Sequence, residues 1–266
     1  MMTQTSSPGA SPEPTGLPPV LILTPVKNAV RHLDRHMALI EQLAWPRDRL
    51  SIGLLESDST DGTWERLRDA EPRLARRAGR VSLVKLDYGF TIPDGVPRWA
   101  PEIQKVRRSI LARARNQLLF RALREEAWVL WIDVDVIDYP PDIIHRLLAT
   151  GFEIVHPHCV KTPGGATFDR NAWSRQGSAT LEDFRGRAAV RLDAVGGTML
   201  LVKADLHRDG LVFPPFPYGV GNPRIRPRHP VWGQGEIETE GLGIMALDMG
   251  MQCWGLPGLE ILHADE

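Results

Sequence analysis

Two aspartates one residue apart close the most apolar run of the chain, Ala127-Trp128-Val129-Leu130-Trp131-Ile132-Asp133-Val134-Asp135-Val136. Such a pair suits a hard divalent cation that also holds phosphate oxygens. The residues before it are branched or aromatic, the pattern of a strand buried on both faces of a parallel sheet. Alternate residues of an extended chain point the same way, so Asp133 and Asp135 can aim at one point if the extended geometry persists. Open α/β sheets bind ligands at the carboxyl ends of such strands. The same spacing also arises as two solvated acids after an ordinary strand, so the rest of the chain has to decide.

Three further clusters could join this chemistry. The stretch from about Glu102 to Glu126 reads as a long helix carrying Lys105, Arg107, Arg108, Arg113, Arg115, Arg121 and Arg124. Most of that charge is expected on a solvated face. Arg108 and Arg115 share one side, however, and arginines there suit a diphosphate. Val195-Gly196-Gly197-Thr198 allows either a tight turn or close approach of a ligand to the backbone. Glu236-Ile237-Glu238-Thr239-Glu240 opens a helix, and the helix dipole alone favours acids in a first turn. His263, near the end, is surface decoration unless the fold carries it to the aspartates.

The elements that must position these residues alternate. Val20 to Pro25, Leu50 to Glu56 and Val81 to Leu86 read as strands. Helices follow the first at Leu33 to Leu43 and the second from about Thr63, where Ser57 to Thr63 supplies capping residues. This order means βαβ units and a parallel sheet. Asp87 to Pro101 reads as a loop, Pro140 to Ala149 as a helix, and Phe152 to Pro157 as a strand. Lys161 to Glu182 is aperiodic and is the best candidate for a mobile or substrate-covering segment. Short strands are expected at Ala188 to Leu192, Met199 to Val202 and Trp254 to Leu262. Phe213 to Trp232, rich in proline, reads as a long surface loop.

Composition removes several classes. With 266 residues and 42% hydrophobic content the chain can bury the core of one large domain or two small ones. A net charge of −1 gives no field for nucleic acid or an anionic membrane. Cys159 and Cys253 make neither a disulfide framework nor a zinc spacing. Met1 to Pro19 lacks the basic start and apolar stretch of a secretory signal and reads as a disordered tail. No apolar run approaches the length of a bilayer span. The Walker loop, GxGxxG and the serine nucleophile elbow are all absent.

Taken in order, several of these stretches resemble one family. Asp58-Ser59-Thr60-Asp61-Gly62-Thr63 after a second strand is similar to the signature of nucleotide-sugar transferases of the GT-A fold. More narrowly, the chain resembles the fungal mannan-polymerase mannosyltransferases, glycosyltransferase family 62. The residues that carry this are Ile22 to Asn28, Ser57 to Thr63, Ala112 to Asn116, Leu130 to Val136, Gly196 to Thr198, Ile237 to Leu242, Trp254 to Pro257 and His263. The match runs from about Pro19 to Ala264. Fungal members are Golgi proteins with a membrane anchor; this chain shows none and looks bacterial in style, so the mannan pathway is not carried over.

The resemblance implies an α/β GT-A fold, Rossmann-like, with a mixed, mostly parallel central sheet flanked by helices in a single domain. Residues 19–136 would form the nucleotide-binding half and 137–266 the acceptor side. It implies a GDP-mannose donor, a Mn2+ or similar divalent cation, and transfer with retention to a glycan or a lipid- or protein-linked acceptor. Asp133 and Asp135 would hold the metal with His263, one of the two acids acting through water or on the ribose. Thr24, Pro25, Glu56 or Asp58, and Asp87 would cradle the nucleoside. Arg113 and Asn116 would lie near the donor, and Gly196 and Gly197 would admit the sugar or acceptor. Glu238 or Glu240 would bind the acceptor or handle its proton. Expected partners exclude nucleic acid and include other glycan-assembly proteins, and the expected location is the cytoplasm or the surface of its membrane.

Overall fold

The computed structural model describes residues 16–93, 95–97, 100–218 and 236–265. Strands and helices alternate first: β1 (Val20–Val26), α1 (Val30–Gln42), β2 (Leu50–Glu56), α2 (Thr63–Arg77), β3 (Arg80–Lys85), α3 (Pro101–Ala122) and β4 (Trp128–Ile132). Then come β5 (Val136–Asp138), α4 (Ile143–Leu148), β6 (Ile154–Val160), β7 (Trp173–Ser174), β8 (Ala179–Thr180), β9 (Val190–Leu192), β10 (Met199–Lys203), α5 (Ala204–Arg208), α6 (Glu238–Asp248) and β11 (Cys253–His263). One sheet runs β3-β2-β1-β4-β10-β6-β11-β5, with β9 beside β11, and β7 pairs with β8 apart from it. Neighbours from β3 to β4 are parallel, β10 is antiparallel to β4 and β6, and β6 is parallel to β11. The result is the mixed, mostly parallel sheet expected.

Each face of the sheet buries one layer. Val20, Ile22 and Val26 pack with α1 and α2, while Leu21 and Leu23 pack with α3. Fully burying each such aliphatic side chain contributes roughly 1.5–3 kcal/mol. The contact of α3 with the sheet requires Gly53, where a Cβ would meet Leu23 Cδ2 at 2.7 Å and Ala122 Cβ at 3.0 Å. Proline at the first position of α3 costs no hydrogen bond.

Several boundaries move for local reasons. The arginine-rich helix stops at Ala122 rather than Glu126, because Glu126 turns back to take the Arg124 N–H and the Arg80 guanidinium. The helix expected from Pro140 begins at Ile143. The strand expected over Phe152–Pro157 runs Ile154–Val160. The aperiodic Lys161 to Glu182 segment contains the β7–β8 hairpin and is tied down by hydrogen bonds between Thr167 and Glu182. Phe213, expected on a surface loop, is fully buried, and the part of that loop from residue 219 on lies outside the described residues. So does most of the expected N-terminal tail. Among the described residues no helix is long and apolar enough to cross a membrane.

Candidate functional site

The parallel strands β1, β2 and β4 end on one edge of the sheet, and β10 brings Thr198 beside the end of β4, where Asp133 N donates to Thr198 O at 2.9 Å. Extended geometry stops at Ile132, and Asp133-Val134-Asp135 goes into a turn. The aspartates therefore do not alternate as strand residues would. Both nevertheless line one cavity of about 430 Å3, together with Gln104, Arg107, Arg108 and Arg115 of α3, the loop Phe168 to Asn171, Gly197, Glu238 and His263.

Arg115 is the centre of the buried charge. Its side chain is 1% exposed. Nη2 donates to Asp133 Oδ1 at 2.7 Å and Nε to Glu238 Oε1 at 2.8 Å. The guanidinium also lies over the rings of Trp131 and Phe213. Burial opposes its charge, but Asp133 and Glu238 outweigh that and raise its pKa. Burial likewise pushes the Asp133 carboxyl up to about 6, with Arg115 pulling against it and Asp135 and Glu238 pushing further. Glu238 holds a backbone φ of +63°, a conformation that non-glycine residues adopt at a cost of about 1–3 kcal/mol. Two turns earlier on α3, Arg108 binds Glu240 Oε2 at 2.6 Å and the Ile237 carbonyl at 2.6 Å. Trp173 Nε1 holds the other Glu240 oxygen at 2.8 Å. The two arginines do share a face, but each is committed to acids. Arg115 Nη1 and Arg108 Nε are buried without a hydrogen-bond partner, donors left over for a ligand oxygen.

Asp135 faces a different partner. Its Oδ1 is 3.1 Å from His263 Nε2. His263 Nδ1 is 2.7 Å from the Ala264 carbonyl, which fixes the proton on Nδ1 and leaves Nε2 to Asp135 or a cation. The ring stacks on Phe168 at 3.8 Å. Burial lowers the His263 pKa, but Asp135 more than restores it. An oxygen and an imidazole nitrogen at this spacing fit a Mn2+-like ion. Among the described residues, no group of three or more His, Cys, Asp or Glu forms a cage for a metal. Asp133, expected as a third ligand, faces Arg115 instead. An ion here would take two protein donors and complete its shell with phosphate oxygens or water.

The loops after β1 and β2 latch to each other. Asn28 N donates to Ser59 Oγ, Thr60 N to Asn28 Oδ1, and Ala29 N to Thr63 Oγ1, all at 2.8–2.9 Å. Asp58 accepts from the Tyr88 and Gly89 N–H groups, and its own N–H donates to Asp87 Oδ1 at 2.8 Å. Glu56 is buried and binds Ser59 N at 2.8 Å and Lys85 Nζ at 3.1 Å. Pro25 lines a smaller cleft of about 110 Å3 with Lys27, Ser57, Phe90 and Arg107. Thr24 does not join it. Even-numbered β1 residues face α1, so its hydroxyl sits 3.3 Å from buried His36 Nε2. Asp87, Arg113 and Asn116 border a separate groove of about 640 Å3 along α3. There Arg113 lies over the Tyr88 ring, and Asn116 clamps the Phe213 backbone in both directions. The room at both adjacent glycines is taken by protein: a Cβ on Gly196 would meet Asp169 Oδ2 at 2.0 Å, and one on Gly197 would meet Arg115 Nη2 at 2.5 Å. Sequence reasoning did not single out Asp169, Arg170, Gln104 or Lys27. The only signal for the first two was their place in the polar, aperiodic segment.

Residues 11–183 and 181–217 match the Anp1 family model. The chain belongs to the Anp1 family. It is 30% identical to the mannan polymerase complex subunit mnn9 of Schizosaccharomyces pombe, over 93% of this chain and 80% of that one. It is 29% identical to the subunit MNN9 of Candida albicans, over 93% of this chain and 75% of that one. The family resemblance seen in the motifs is thus borne out. Among solved structures, the mannosyltransferase PcManGT of Pyrobaculum calidifontis, in complex with GDP-Man and Mn2+, superposes with a TM-score of 0.58 at 21% identity. That match covers 96% of this chain but 59% of the archaeal one. S. aureus TarS with UDP-GlcNAc gives a TM-score of 0.55 at 12% identity, over 93% of this chain and 58% of that one. The Anp1 chain therefore has the GT-A fold and spans under two thirds of these solved chains.

Proposed function

We propose that this Anp1-family chain is a metal-dependent glycosyltransferase that moves mannose from GDP-mannose to a hydroxyl of a glycan or of a lipid- or protein-linked acceptor, with retention. The observation that carries this reading is the convergence of Asp135 with His263, and of Asp133 with Arg115, on one cavity at the carboxyl ends of the parallel strands. The ligands of the Pyrobaculum calidifontis neighbour, GDP-Man and Mn2+, support the choice of donor and ion.

Asp135 and His263 would hold the ion, which when bound would offset the charge gathering on the leaving diphosphate. Arg107 lines both the cavity and the Pro25 cleft, so a donor spanning the two would lay its diphosphate beside that guanidinium. Lys27 lies in the same cleft, its pKa lowered by burial against the pull of Asp58 and Glu56. Arg115 would fix Asp133 and Glu238, while Glu238 and Glu240 would shape the acceptor side. Relatives named as subunits of mannan polymerase complexes support a further proposal, that the chain works beside other glycan-assembly proteins.

Thermal shift with GDP, UDP, GDP-mannose and UDP-glucose, each with and without Mn2+, tests the reading. A ligand that binds only the native state stabilises it by about 2.7 kcal/mol at a hundred times its Kd. A guanosine-selective, manganese-dependent rise in Tm is expected, and Asp135→Ala should remove its manganese-dependent part while the protein stays folded. A uridine-selective rise would replace the donor. Absence of any shift would sink the transferase reading.

A further inference from the structure

Asp169, an acid lining the cavity, is held by a backbone N–H, a hydroxyl and a histidine rather than by an arginine. Its Oδ2 accepts from Thr198 N at 3.0 Å and Thr198 Oγ1 at 2.8 Å, and lies 3.4 Å from His156 Nε2. Its Oδ1 has one long bond, from Asn171 N at 3.3 Å. By contrast Asp133, Glu238 and Glu240 are ion-paired to arginine. The backbone is shaped around Asp169, since any side chain at Gly196 would collide with its carboxylate. Burial raises its pKa, yet His156 and Thr198 outweigh this and hold it well below the usual carboxylate range. The side chain is 6% exposed. It is thus a rigid, desolvated anion, and an ionised carboxylate has acceptor sites on both oxygens.

We infer that Asp169 reads the transferred sugar, its Oδ1 accepting a hydrogen bond from one hydroxyl of the donor hexose. This rests on the transferase reading above. The occupant beside Oδ1 is neutral and bears a donor, because a phosphate there would face an ionised acid. It belongs to the sugar rather than the nucleoside, because Asp169 lines the cavity of Asp133, Asp135 and His263 and not the cleft of Pro25 and Ser57. It sits beside the reacting end of the donor, because the Thr198 that holds Asp169 through its N–H and hydroxyl also holds Asp133 N through its carbonyl.

Calorimetry with Mn2+ tests this on the wild type and Asp169→Asn, using GDP, GDP-mannose and the single-deoxy analogues of GDP-mannose. Hydrogen bonds to a charged acceptor are among the strong ones. Asp169→Asn should bind GDP within about twofold of wild type, while its affinity for GDP-mannose relative to GDP falls about tenfold or more. The wild type should bind one deoxy analogue about tenfold more weakly than GDP-mannose, and Asp169→Asn should not distinguish the two. An unchanged ratio of GDP-mannose to GDP affinity in the variant would overturn the inference. So would a wild type that binds every deoxy analogue like the parent, a result that needs no folded variant. Failure of the wild type to bind GDP or GDP-mannose at all would instead overturn the transferase reading, and this inference with it.

Discussion

The two sides of the sheet edge handle polar groups in opposite ways. Beyond β1, β2 and β3, the loops are latched by bonds from backbone N–H groups to Asn28, Ser59, Asp61, Thr63 and Asp58. Beyond β4 and β10, the partners are full charges: Arg115 between Asp133 and Glu238, and Arg108 on Glu240. The latch joins neighbouring loops through separate bonds and could be remodelled one bond at a time. The ion cluster is buried, and removing one member strands the others, so it should fail as a unit. A site that must bind a flexible, charged donor and yet keep a fixed reacting geometry gains from having both.

The two sides differ most at Arg115. Arg115→Met keeps most of the volume against Trp131 and Phe213 but leaves Asp133 and Glu238 buried without a cation. Breaking a buried pair by removing one partner costs about 3–5 kcal/mol. Denaturant unfolding should show a loss of that size with an unchanged slope. Replacing all three residues together with apolar ones should recover much of it. A loss below about 1 kcal/mol for Arg115→Met would mean that water reaches the cluster and that the two sides do not differ in kind.

This difference also decides what was legible in the sequence. The Asp133-x-Asp135 pair and the Ser57 to Thr63 block are local, and the run of strand before each marks its place at the edge. The common face of Arg108 and Arg115 followed from helical spacing. Their partners did not, because Arg115 reaches Glu238 across 123 positions and a turn in a different element. Thr24 was placed at the site by its position at a strand end, but strand alternation sends it to His36. Gly196 and Gly197 were read as room for a ligand, and tertiary packing fills that room with Asp169 and Arg115. Asp169 had no periodicity to announce it, since its loop is shaped by His156 of β6 and by Thr198, just before β10.

Acid offers a second, smaller test, because each side has a neutral histidine packed behind it. His36 lies under Thr24, and His207 lies under Trp131, donating through Nδ1 to Leu211 O and accepting from Trp131 Nε1. Burial lowers both to about 4. A folded pKa below the unfolded value of about 6.5 means that the unfolded state binds the extra proton. Stability is therefore full above about 6.5 and is lost as pH falls towards 4, by about 2 kcal/mol per histidine at pH 5. Asp133 and Glu236, raised to about 6 and about 7, run the other way, so the readout is the difference between variants. His207→Gln should flatten the fall in Tm between pH 6.5 and 4 relative to wild type. Parallel curves would mean that His207 can be protonated in the fold at little cost.

The smallest effect is expected on the latch. Asp58 sits at a backbone φ of +53°, accepts from the Tyr88 and Gly89 N–H groups, and lies 3.9 Å from Lys27. Asp58→Ala removes the acceptor and places a residue poorly suited to the left-handed region there, for a loss of about 2 kcal/mol. Asp58→Asn tolerates that region and keeps one acceptor oxygen, so it should cost under about 1 kcal/mol. Asp58→Gly separates the two terms, relieving the backbone while losing the bonds, and should fall between them. If the loops after β2 and β3 shape the nucleoside cleft, affinity for GDP should fall in the same order. A loss for Asp58→Ala as large as that for Arg115→Met would show that the latch too depends on buried charge, through Lys27, and that the two sides do not differ in kind.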